Sequence, residues 1–234
     1  GLVSLTGYLE SGPLMTNETY PDPVAGVLGV GALIAGLRQA RRTGEGSLID
    51  FSQRELTAGL LGEAMMDYAF NGRVQGPIGN RSPTAAPQGV YPCAGDNMWI
   101  AIAVETDAQW QALCEVMGDS DWSRDASLAT AAGRRQRHDD LDARLAEWTR
   151  GFDHYDLMHR LQGRGVPAGA VLTGTELLVD PQLDARGWWE DLVPPEVGEL
   201  HRFVTAPWRM SGSPFRPSRP APLLGEHNDT VYLE

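Results

Sequence analysis

One aspartate occupies a position from which its carboxylate could act as a nucleophile. Asp22 precedes Pro23 at the start of a glycine-rich apolar segment, and a proline in the first turn is typical of the beginning of a helix. The dipole of that helix would favour the ionised carboxylate, and the glycines would leave space for a ligand. An ordinary N-cap aspartate has the same pattern, so the spacing alone leaves both interpretations open.

A second candidate is the loop formed by Gly79, Asn80 and Arg81. It lies in a stretch, residues 73–89, whose glycine, proline and polar residues are typical of a linker or a functional loop. The backbone N–H groups of the loop and its single cation could close over an anionic substrate or a developing oxyanion. The alternative is a simple polar turn.

The histidines and clustered aspartates do not have the spacing of a metal site. His154 and His159 are five residues apart, one more than the spacing that brings two histidines to one helix face, so we expect them at the surface. Asp139, Asp140 and Asp142 lack the alternating ligands and the closing glutamate of a calcium loop. We expect these aspartates to form the solvated acidic first turn of a helix, and we predict no bound metal.

Nucleotide-binding and hydrolase motifs are also missing. Gly26, Gly29 and Gly31 are spaced somewhat like a dinucleotide fingerprint, but prolines precede them where a strand is required. The sequence contains neither a GxSxG elbow nor a P-loop lysine. We predict instead that these glycines, together with Gly36, allow another part of the backbone to pack closely against the helix.

The composition predicts a soluble globular protein without disulfides. Hydrophobic residues make up 42% of the 234 residues and charged residues 21%. The 19 basic and 31 acidic side chains give a net charge of −12, which disfavours binding to nucleic acid or to an anionic membrane surface. Cys93 and Cys114 are too few for a disulfide framework and too far apart for half of a zinc ribbon. The first residues lack a signal-peptide pattern, so we predict a cytoplasmic location.

The elements that must position these residues are a mixture of helices and strands. A helix is predicted from Asp22 to Thr43; its most apolar part, residues 24–37, is about 14 residues long and falls short of the ~20 needed to span a bilayer. We therefore expect a buried helix of a soluble protein, followed by a buried strand over 48–51 and a helix over 54–71. Beyond the loop, the pattern predicts a hairpin of 90–93 and 98–104, a helix capped by Thr106, a polar linker, helices over 139–149 and 154–162, a strand over 166–172, helical turns over 175–179 and 181–185, and a hairpin of 188–193 and 200–204.

Six short strings, taken together and in order, resemble the family III CoA-transferases, also called the carnitine dehydratase and bile-acid-inducible protein F type, which includes formyl-CoA transferase-like proteins. Each string is weak alone, but their shared order across nearly the whole chain is specific. The strings occupy residues 20–26, 42–55, 79–91, 165–169, 180–183 and 224–228.

The resemblance implies a covalent mechanism and names a nucleophile. Asp22 corresponds to the family's aspartate, which attacks an acyl-CoA thioester to form an aspartyl anhydride and then an aspartyl-CoA thioester. Coenzyme A is then a co-substrate, an acyl-CoA and a carboxylic acid are the partners, and no metal takes part. Gly79, Asn80 and Arg81 correspond in position to a loop that shields the family's active site, although the glycine run of some members is absent here.

The resemblance also implies an α/β architecture: a Rossmann-like large domain, incomplete in this chain, plus a smaller α+β domain. The predicted division is residues 1–72 in the large domain, 73–89 as the active-site loop, 90–186 as the small domain, and 187–234 returning to the large domain. Family members form interlocked dimers, so we expect a homodimer or an N-terminal partner chain. The chain looks like the C-terminal part of such a protein, and most CoA contacts are expected in the N-terminal half.

Two other functions stay open at this point. An acyl-CoA racemase or epimerase of the same superfamily would use Asp22 with a histidine for proton transfer beside the thioester. A non-catalytic or split subunit would instead complete a partner's dimer. The acceptor acid is not encoded in any motif, and Arg81 is the one cation of the loop that could face an anionic acyl group.

Overall fold

The computed structural model describes residues 1–16, 19–118, 121–194, 196 and 198–233. The chain divides into two compact units, Gly1–Gly169 and Ala170–Glu234. Helices and strands occur in both units, which agrees with the predicted mixture of the two. The predicted division into four parts stays a prediction.

The N-terminal part of the first unit is mainly helical. It begins with a 3-10 turn and a two-residue antiparallel hairpin that the sequence analysis did not predict. The elements are the 3-10 turn Leu2–Leu5, strands β1 (Gly7–Tyr8) and β2 (Gly12–Pro13), and helices α1 (Pro21–Thr43), α2 (Gln53–Gly59) and α3 (Gly62–Asn71).

Two predictions for this part are wrong. Residues 48–51 form no strand; Leu48 is 97% exposed, and no described strand pairs with this segment. The helix predicted over 54–71 is interrupted at Leu60 and Leu61, because Gly59 and Gly62 flank the break and glycine is a poor helix former.

Helix α1 exists as predicted, but it is not buried. Among its described residues none is buried, and the Val27 and Leu33 side chains are 74% and 57% exposed. Gly44, in the left-handed conformation with a φ of 79°, ends the helix as predicted. At 23 residues α1 is the one described helix that is long and apolar enough to cross a membrane, a property that core helices of soluble proteins share.

The centre of the first unit is a three-stranded sheet with the order β3-β4-β5. Strands β3 (Gln88–Pro92) and β4 (Trp99–Ala103) are antiparallel, with Gln88 opposite Ala103 and Pro92 opposite Trp99. The predicted hairpin is therefore confirmed. Strand β5 (Ala168–Val171) forms within the predicted 166–172 segment.

Four helices bury one side of this region: α4 (Asp107–Val116), α5 (Ala131–Gln136), α6 (His138–Thr149) and α7 (His154–Gln162). Thr106 caps α4 through a capping box, as predicted. Helix α5 and a 3-10 turn, Ala126–Leu128, occupy the predicted polar linker. The buried core is made by Tyr91, Cys93, Ile100, Ile102, Val104, Trp110, Leu113, Cys114, Leu128, Leu141, Leu145, Leu157, Leu161 and Val166.

The second unit contains short helices and one hairpin. Strands β6 (Trp189–Leu192) and β7 (His201–Val204) pair antiparallel, as predicted. The helices are α8 (Gly174–Leu177), α9 (Pro181–Ala185) and α10 (Asn228–Tyr232). The described residues form sheets of two, three and two strands, so the Rossmann-like sheet of the expected large domain stays a prediction.

Candidate active site

Asp22 lies in the first turn of α1, but it does not cap the helix. The N-cap position is Tyr20 and the first helical residue is Pro21, so the predicted capping role of Asp22 and the predicted place of Pro23 at the first position are wrong. The backbone N–H of Asp22 donates to the Thr19 carbonyl at 2.9 Å. Its side chain is exposed and available for another interaction.

That interaction comes from the first residue of α2. Gln53 Nε2 donates a hydrogen bond to Asp22 Oδ1 at 2.9 Å. Ser52 fixes the start of α2, because its hydroxyl accepts a hydrogen bond from the backbone N–H of Glu55 at 3.3 Å. A helix start therefore holds the amide that orients the carboxylate.

Two glycines of α1 lie against side chains of the segment before α2, whereas the sequence analysis predicted close packing of backbone. A Cβ at Gly36 would lie 3.0 Å from Ile49 Cδ1, and one at Gly29 would lie 3.6 Å from the Phe51 ring. At Gly26 and Gly31 a Cβ would meet no atom within 4 Å, so packing does not explain these two glycines. The close approach of residues 49–51 leads the chain to Gln53 beside Asp22.

The Gly79–Arg81 loop is held at both ends. Gly79 has a φ of 64°, and its N–H donates to the Gly7 carbonyl at 2.9 Å. A Cβ at Gly79 would lie 3.0 Å from Tyr8 Cδ1, so this position needs a glycine for conformation and for space. The Asn80 carbonyl accepts a hydrogen bond from Gln88 Nε2 at 3.3 Å.

Arg81 binds two carboxylates of α6. Its Nη2 lies 2.5 Å from Asp139 Oδ1 and 2.7 Å from Asp142 Oδ2. The Tyr91 hydroxyl donates to the other oxygen of Asp142 at 2.8 Å. Burial, and then the Asp142 charge, raise the pKa of Tyr91, so its hydroxyl stays a donor. The cation of the loop is thus neutralised by protein carboxylates.

A cleft of about 600 Å³ lies between this loop and the sheet. Half of its twelve lining residues are glycine or alanine, which come from the loop and from β3, β4 and β5. The small residues are Gly79, Gly89, Ala101, Ala103, Ala168 and Gly169. Such a cleft could hold a short acyl chain, with Asn80, Arg81 and Gln88 as polar groups of its lining.

The structure does not join the two predicted parts of the site. No hydrogen bond or ion pair among the described residues connects Asp22 to Gly79, Asn80 or Arg81. Sequence reasoning missed Gln53 as a site residue. A sequence feature could have indicated it: Ser52 is a typical N-cap, and the residue after an N-cap can direct its side chain toward the start of a neighbouring helix.

Among the described residues, no three or more His, Cys, Asp or Glu side chains are placed so that they could hold a metal ion together. The prediction of surface histidines is correct for His159 but wrong for His154, which is 2% exposed at the start of α7. Asp139 is exposed but pairs with Arg81, and Asp140 pairs with two arginines of its own helix region. The acidic first turn is therefore an ion-pair surface.

The family model for CoA-transferase family III matches residues 1–228. The chain belongs to CoA-transferase family III. The resemblance found in the six strings is confirmed, and the match extends through both compact units.

Named relatives of this family III chain share about a third of its residues. Over its full length it is 32% identical to a succinate–glutarate CoA-transferase of Agrobacterium fabrum, and 29% identical to a succinyl-CoA–D-citramalate CoA-transferase of Chloroflexus aurantiacus. The chain spans 58% of the length of each of these relatives. It is also 28% identical to a formyl-CoA:oxalate CoA-transferase of Streptomyces coelicolor.

Solved structures share the fold of this family III chain. A CAIB/BAIF family protein from Brucella suis superposes with a TM-score of 0.85 at 28% identity; the alignment covers 100% of this chain and 60% of the other. Rv3272 from Mycobacterium tuberculosis, at 19% identity and a TM-score of 0.75, shows the same fold.

Proposed function

We propose that the protein transfers coenzyme A from an acyl-CoA to a carboxylic acid, with Asp22 as the covalent nucleophile. The observation that supports this proposal is the exposure of the Asp22 carboxylate and its single described hydrogen bond. This carboxylate is exposed in the first turn of α1, and Gln53 donates to its Oδ1 at 2.9 Å. Among the described contacts none occupies Oδ2, so this oxygen can attack a thioester carbonyl.

The local environment suits a carboxylate nucleophile. The N-terminal end of α1 favours negative charge, and the Gln53 amide fixes the orientation of the carboxylate plane. A carboxylate is ionised near pH 7 and needs no neighbouring base to act as a nucleophile. The same amide N–H would stabilise negative charge on the Asp22 oxygen when thiolate attacks the aspartyl carbonyl.

The proposed reaction has four steps. Asp22 attacks the thioester carbonyl, which breaks the C–S bond and gives an aspartyl–acyl anhydride and CoA thiolate. The thiolate attacks the aspartyl carbonyl, releasing the donor acid as its carboxylate and leaving an aspartyl-CoA thioester. The acceptor carboxylate attacks this thioester, giving a second anhydride and free thiolate. The thiolate then attacks the acceptor's carbonyl, which releases the new acyl-CoA and regenerates the Asp22 carboxylate.

We propose a dicarboxylic acid as the acceptor class. The names of the compared relatives pair succinyl-CoA with D-citramalate, and succinate with glutarate. The cleft beside the Gly79–Arg81 loop is large enough for a short chain, at about 600 Å³. Because Arg81 is paired with Asp139 and Asp142, we assign it to anchoring the loop, and we assign Gly79 and Asn80 to bordering the substrate.

The whole protein would provide what this region does not supply. Exposed apolar side chains along α1, such as Val27 and Leu33, would be covered by further chain or by a second copy in a homodimer. We assign most CoA contacts to that further chain and keep the cytoplasmic location as a prediction. No metal is required by the proposed steps.

Hydroxylamine trapping tests this function. The enzyme in its whole-protein form is incubated with succinyl-CoA and hydroxylamine, and its intact mass and peptides are measured. We expect a hydroxamate at Asp22, because hydroxylamine attacks an activated aspartyl carbonyl. Asp22→Ala should give no adduct. Asp96→Ala, at an exposed aspartate in the turn between β3 and β4, is the matched control and should give the wild-type adduct.

The alternative functions predict other results. If CoA binds but no hydroxamate forms at Asp22, the nucleophile assignment is wrong. Exchange of the donor's α-hydrogen with D₂O, without transfer to glutarate, would indicate a racemase or epimerase. Neither exchange nor transfer, with the fold intact, would indicate a non-catalytic subunit.

A further inference from the structure

The loop at residues 79–88 is held by side chains from one short stretch of α5 and α6. These side chains contact both its backbone and its arginine. Arg134 Nε donates to the Ala86 carbonyl at 2.7 Å, Arg135 Nη1 to the Thr84 carbonyl at 3.1 Å, and the Gln88 N–H to His138 Nε2 at 3.2 Å; Asp139 and Asp142 bind Arg81. Backbone bonds hold the loop as well: the Ala86 N–H donates to the Val104 carbonyl at 3.0 Å, the Val104 N–H to the Pro87 carbonyl at 2.9 Å, and the Gly79 N–H to the Gly7 carbonyl at 2.9 Å. The α5 and α6 side chains therefore add to this backbone anchoring.

Arg134 is fully buried, which is unusual for a cation. Its Nη1 donates to the Leu128 carbonyl at 3.0 Å, its Nη2 binds Asp107 Oδ1 at 2.8 Å, and its guanidinium carbon lies 5.5 Å from the centre of the Trp110 ring. Burial of a charge is tolerated when its donors are satisfied and a counterion is present. Nη1 also lies 3.3 Å from the Ala129 carbonyl, and Nε donates to the loop carbonyl of Ala86.

His138 holds the other side of Pro87. It is 5% exposed, and its Nε2 accepts a hydrogen bond from the Gln88 backbone N–H. An acceptor nitrogen carries no proton, so the ring must be neutral with its proton on Nδ1. The Arg134 and His138 bonds therefore flank Pro87 and fix the carbonyl before it and the N–H after it.

We propose that Arg134 and His138 are positioning residues for the substrate loop, together forming a clamp that sets Gly79 and Asn80 at the edge of the cleft. This inference rests on the proposed function, in which that loop borders the acyl group. Together with the backbone bonds to Val104, the hydrogen bonds to these two buried side chains restrict the movement of residues 86–88. The Gln88 side chain in turn holds the Asn80 carbonyl, so the clamp reaches the loop through Gln88.

The clamp is sensitive to acid. Burial lowers the pKa of His138; the Asp142 carboxylate opposes this effect, and the Arg81 guanidinium adds to it. The negative charge of Asp139 also raises the pKa of His138, but to a smaller extent. Protonation puts a hydrogen on Nε2, so this nitrogen can no longer accept the hydrogen bond from the Gln88 N–H. It can instead donate to Asp142 Oδ1, which is 3.6 Å away. Protonation therefore removes the His138 bond to the Gln88 N–H, while the β3–β4 pairing of Gln88 with Ala103 remains.

Kinetics and hydrogen exchange of His138 variants test the clamp in the whole enzyme. His138→Leu removes the acceptor and His138→Gln supplies a neutral one that does not titrate. For His138→Leu we expect deuterium exchange of the peptide at residues 82–90 to rise, and kcat with succinyl-CoA and glutarate to fall up to about 100-fold while KM changes less. For His138→Gln we expect wild-type deuterium exchange and kcat near pH 7.5. Because burial lowers the pKa of His138, the wild type should lose kcat only at a pH below the ordinary histidine value near 6.5, and His138→Gln should lack this loss.

Arg134 variants provide the second measurement. Arg134→Lys keeps a positive charge beside Asp107, but the lysine ammonium cannot make all the hydrogen bonds of the planar guanidinium. Backbone deuterium exchange of residues 82–90 should therefore rise, while thermal stability should be only partly reduced. Arg150→Gln, at the exposed arginine that follows α6 and donates only to the Ala146 carbonyl among the described contacts, is the matched control and should not change either readout.

Distinct outcomes separate this proposal from the proposed function. If folded His138→Leu keeps wild-type exchange, or if it keeps wild-type kcat, the clamp is wrong. Equal behaviour of His138→Leu and His138→Gln would also overturn it, since only one of them removes the acceptor. If the wild type transfers no coenzyme A, the proposed function is wrong, and so is the positioning role in catalysis. Backbone deuterium exchange of residues 82–90 would then report only whether Arg134 and His138 hold the loop.

Discussion

The first compact unit contains two regions that bury their apolar side chains very differently. All fourteen members of the hydrophobic core lie between Tyr91 and Val166. Among the described residues before position 85, Asp67 alone is buried. Helix α1, which bears the candidate nucleophile, belongs to the exposed region, whereas the helices that hold the substrate loop belong to the packed region.

The candidate site needs both the loop and helix α1 to be held in place, and the two regions differ in how they meet this need. The loop at residues 79–88 is positioned by a core that this chain builds itself. Among the described residues, helix α1 contacts Ile49, Phe51 and Gln53 but buries none of its own side chains, and helices in proteins are stabilised mainly by packing of their apolar face. We therefore expect α1 to have low local stability in this chain and to gain stability from contacts made in the whole protein.

A pair of leucine substitutions tests the contrast most strongly. Leu145 is fully buried, so Leu145→Ala should lower the free energy of unfolding by about 2–5 kcal/mol. Leu33 is 57% exposed, so Leu33→Ala should change it by no more than about 0.5 kcal/mol. Urea unfolding of the 234-residue chain measures both. A similar loss for the two variants would contradict the contrast, and a larger loss for Leu33→Ala in the whole protein would show that α1 is covered there.

Thiol labelling compares the two regions without relying on unfolding. Burial, and then the Asp153 charge, raise the pKa of Cys93 to about 11, and its side chain is 5% exposed. Iodoacetamide at pH 8 should therefore modify Cys93 at least ~100-fold more slowly than a reporter introduced by Leu33→Cys in α1. Mass spectrometry of tryptic peptides gives both rates. In denaturant the two thiols should react at similar rates; equal rates in the native protein would mean that the packed region opens readily.

A smaller effect is expected where the packed region satisfies a single polar group. The Thr149 hydroxyl, which is buried, contacts the carbonyls of Pro92 and Leu145 at 2.7 and 2.9 Å. Thr149→Val keeps the shape but leaves the Pro92 carbonyl without this donor, so the free energy of unfolding should fall by about 1–2 kcal/mol. Thermal or urea unfolding checks this value. Thr149→Ser, which keeps the hydroxyl, should retain most of that hydrogen-bond energy, and an unchanged Thr149→Val would show that solvent replaces the bond.

The smallest effect is expected at the one buried residue of the exposed region. Hydrogen bonds from Arg73, Asn71 and Gln75 lower the pKa of Asp67 to about 2. The folded state thus favours the carboxylate, so this contribution is present above the ordinary value near 3.9 and is lost as the pH falls toward 2. We expect the stability difference between wild type and Asp67→Asn to shrink between pH 5 and pH 2. A constant difference across this range would contradict the assignment.

The sequence predicted the local elements best where turn and cap signals were strong. The Thr106 cap, the 90–104 hairpin, the 154–162 helix and the hairpin before residue 205 were all predicted correctly. Errors occurred where apolar character was taken as burial: residues 48–51 were expected to form a strand, and α1 was expected to lie in a core. Apolar composition reports a tendency to be buried, but none of the described residues of α1 is buried in this structure.

The site was predicted only in part, for a similar reason. Asp22 was found because a resemblance added to a common local pattern, and the loop was found from its composition. Gln53, Arg134 and His138 were not found, because their contacts with Asp22, Ala86 and Gln88 join residues 31 to 50 positions apart. Arg81 was expected to meet substrate, and no local pattern revealed its pairing with acidic residues of α6.

The placement of the clamp has a consequence for building chimeric enzymes. The loop, its supports from α5 and α6 and the groups that bind Arg134 fall within one continuous stretch, residues 79–149, whereas the contacts of Gly79 with Gly7 and Tyr8 lie outside it. Exchange of this whole stretch between relatives would transfer the loop together with its supports, as a cassette. Exchange of residues 79–89 alone would place a foreign backbone against Arg134 and His138. The useful boundaries for recombination are therefore set by the supports and not by the loop ends.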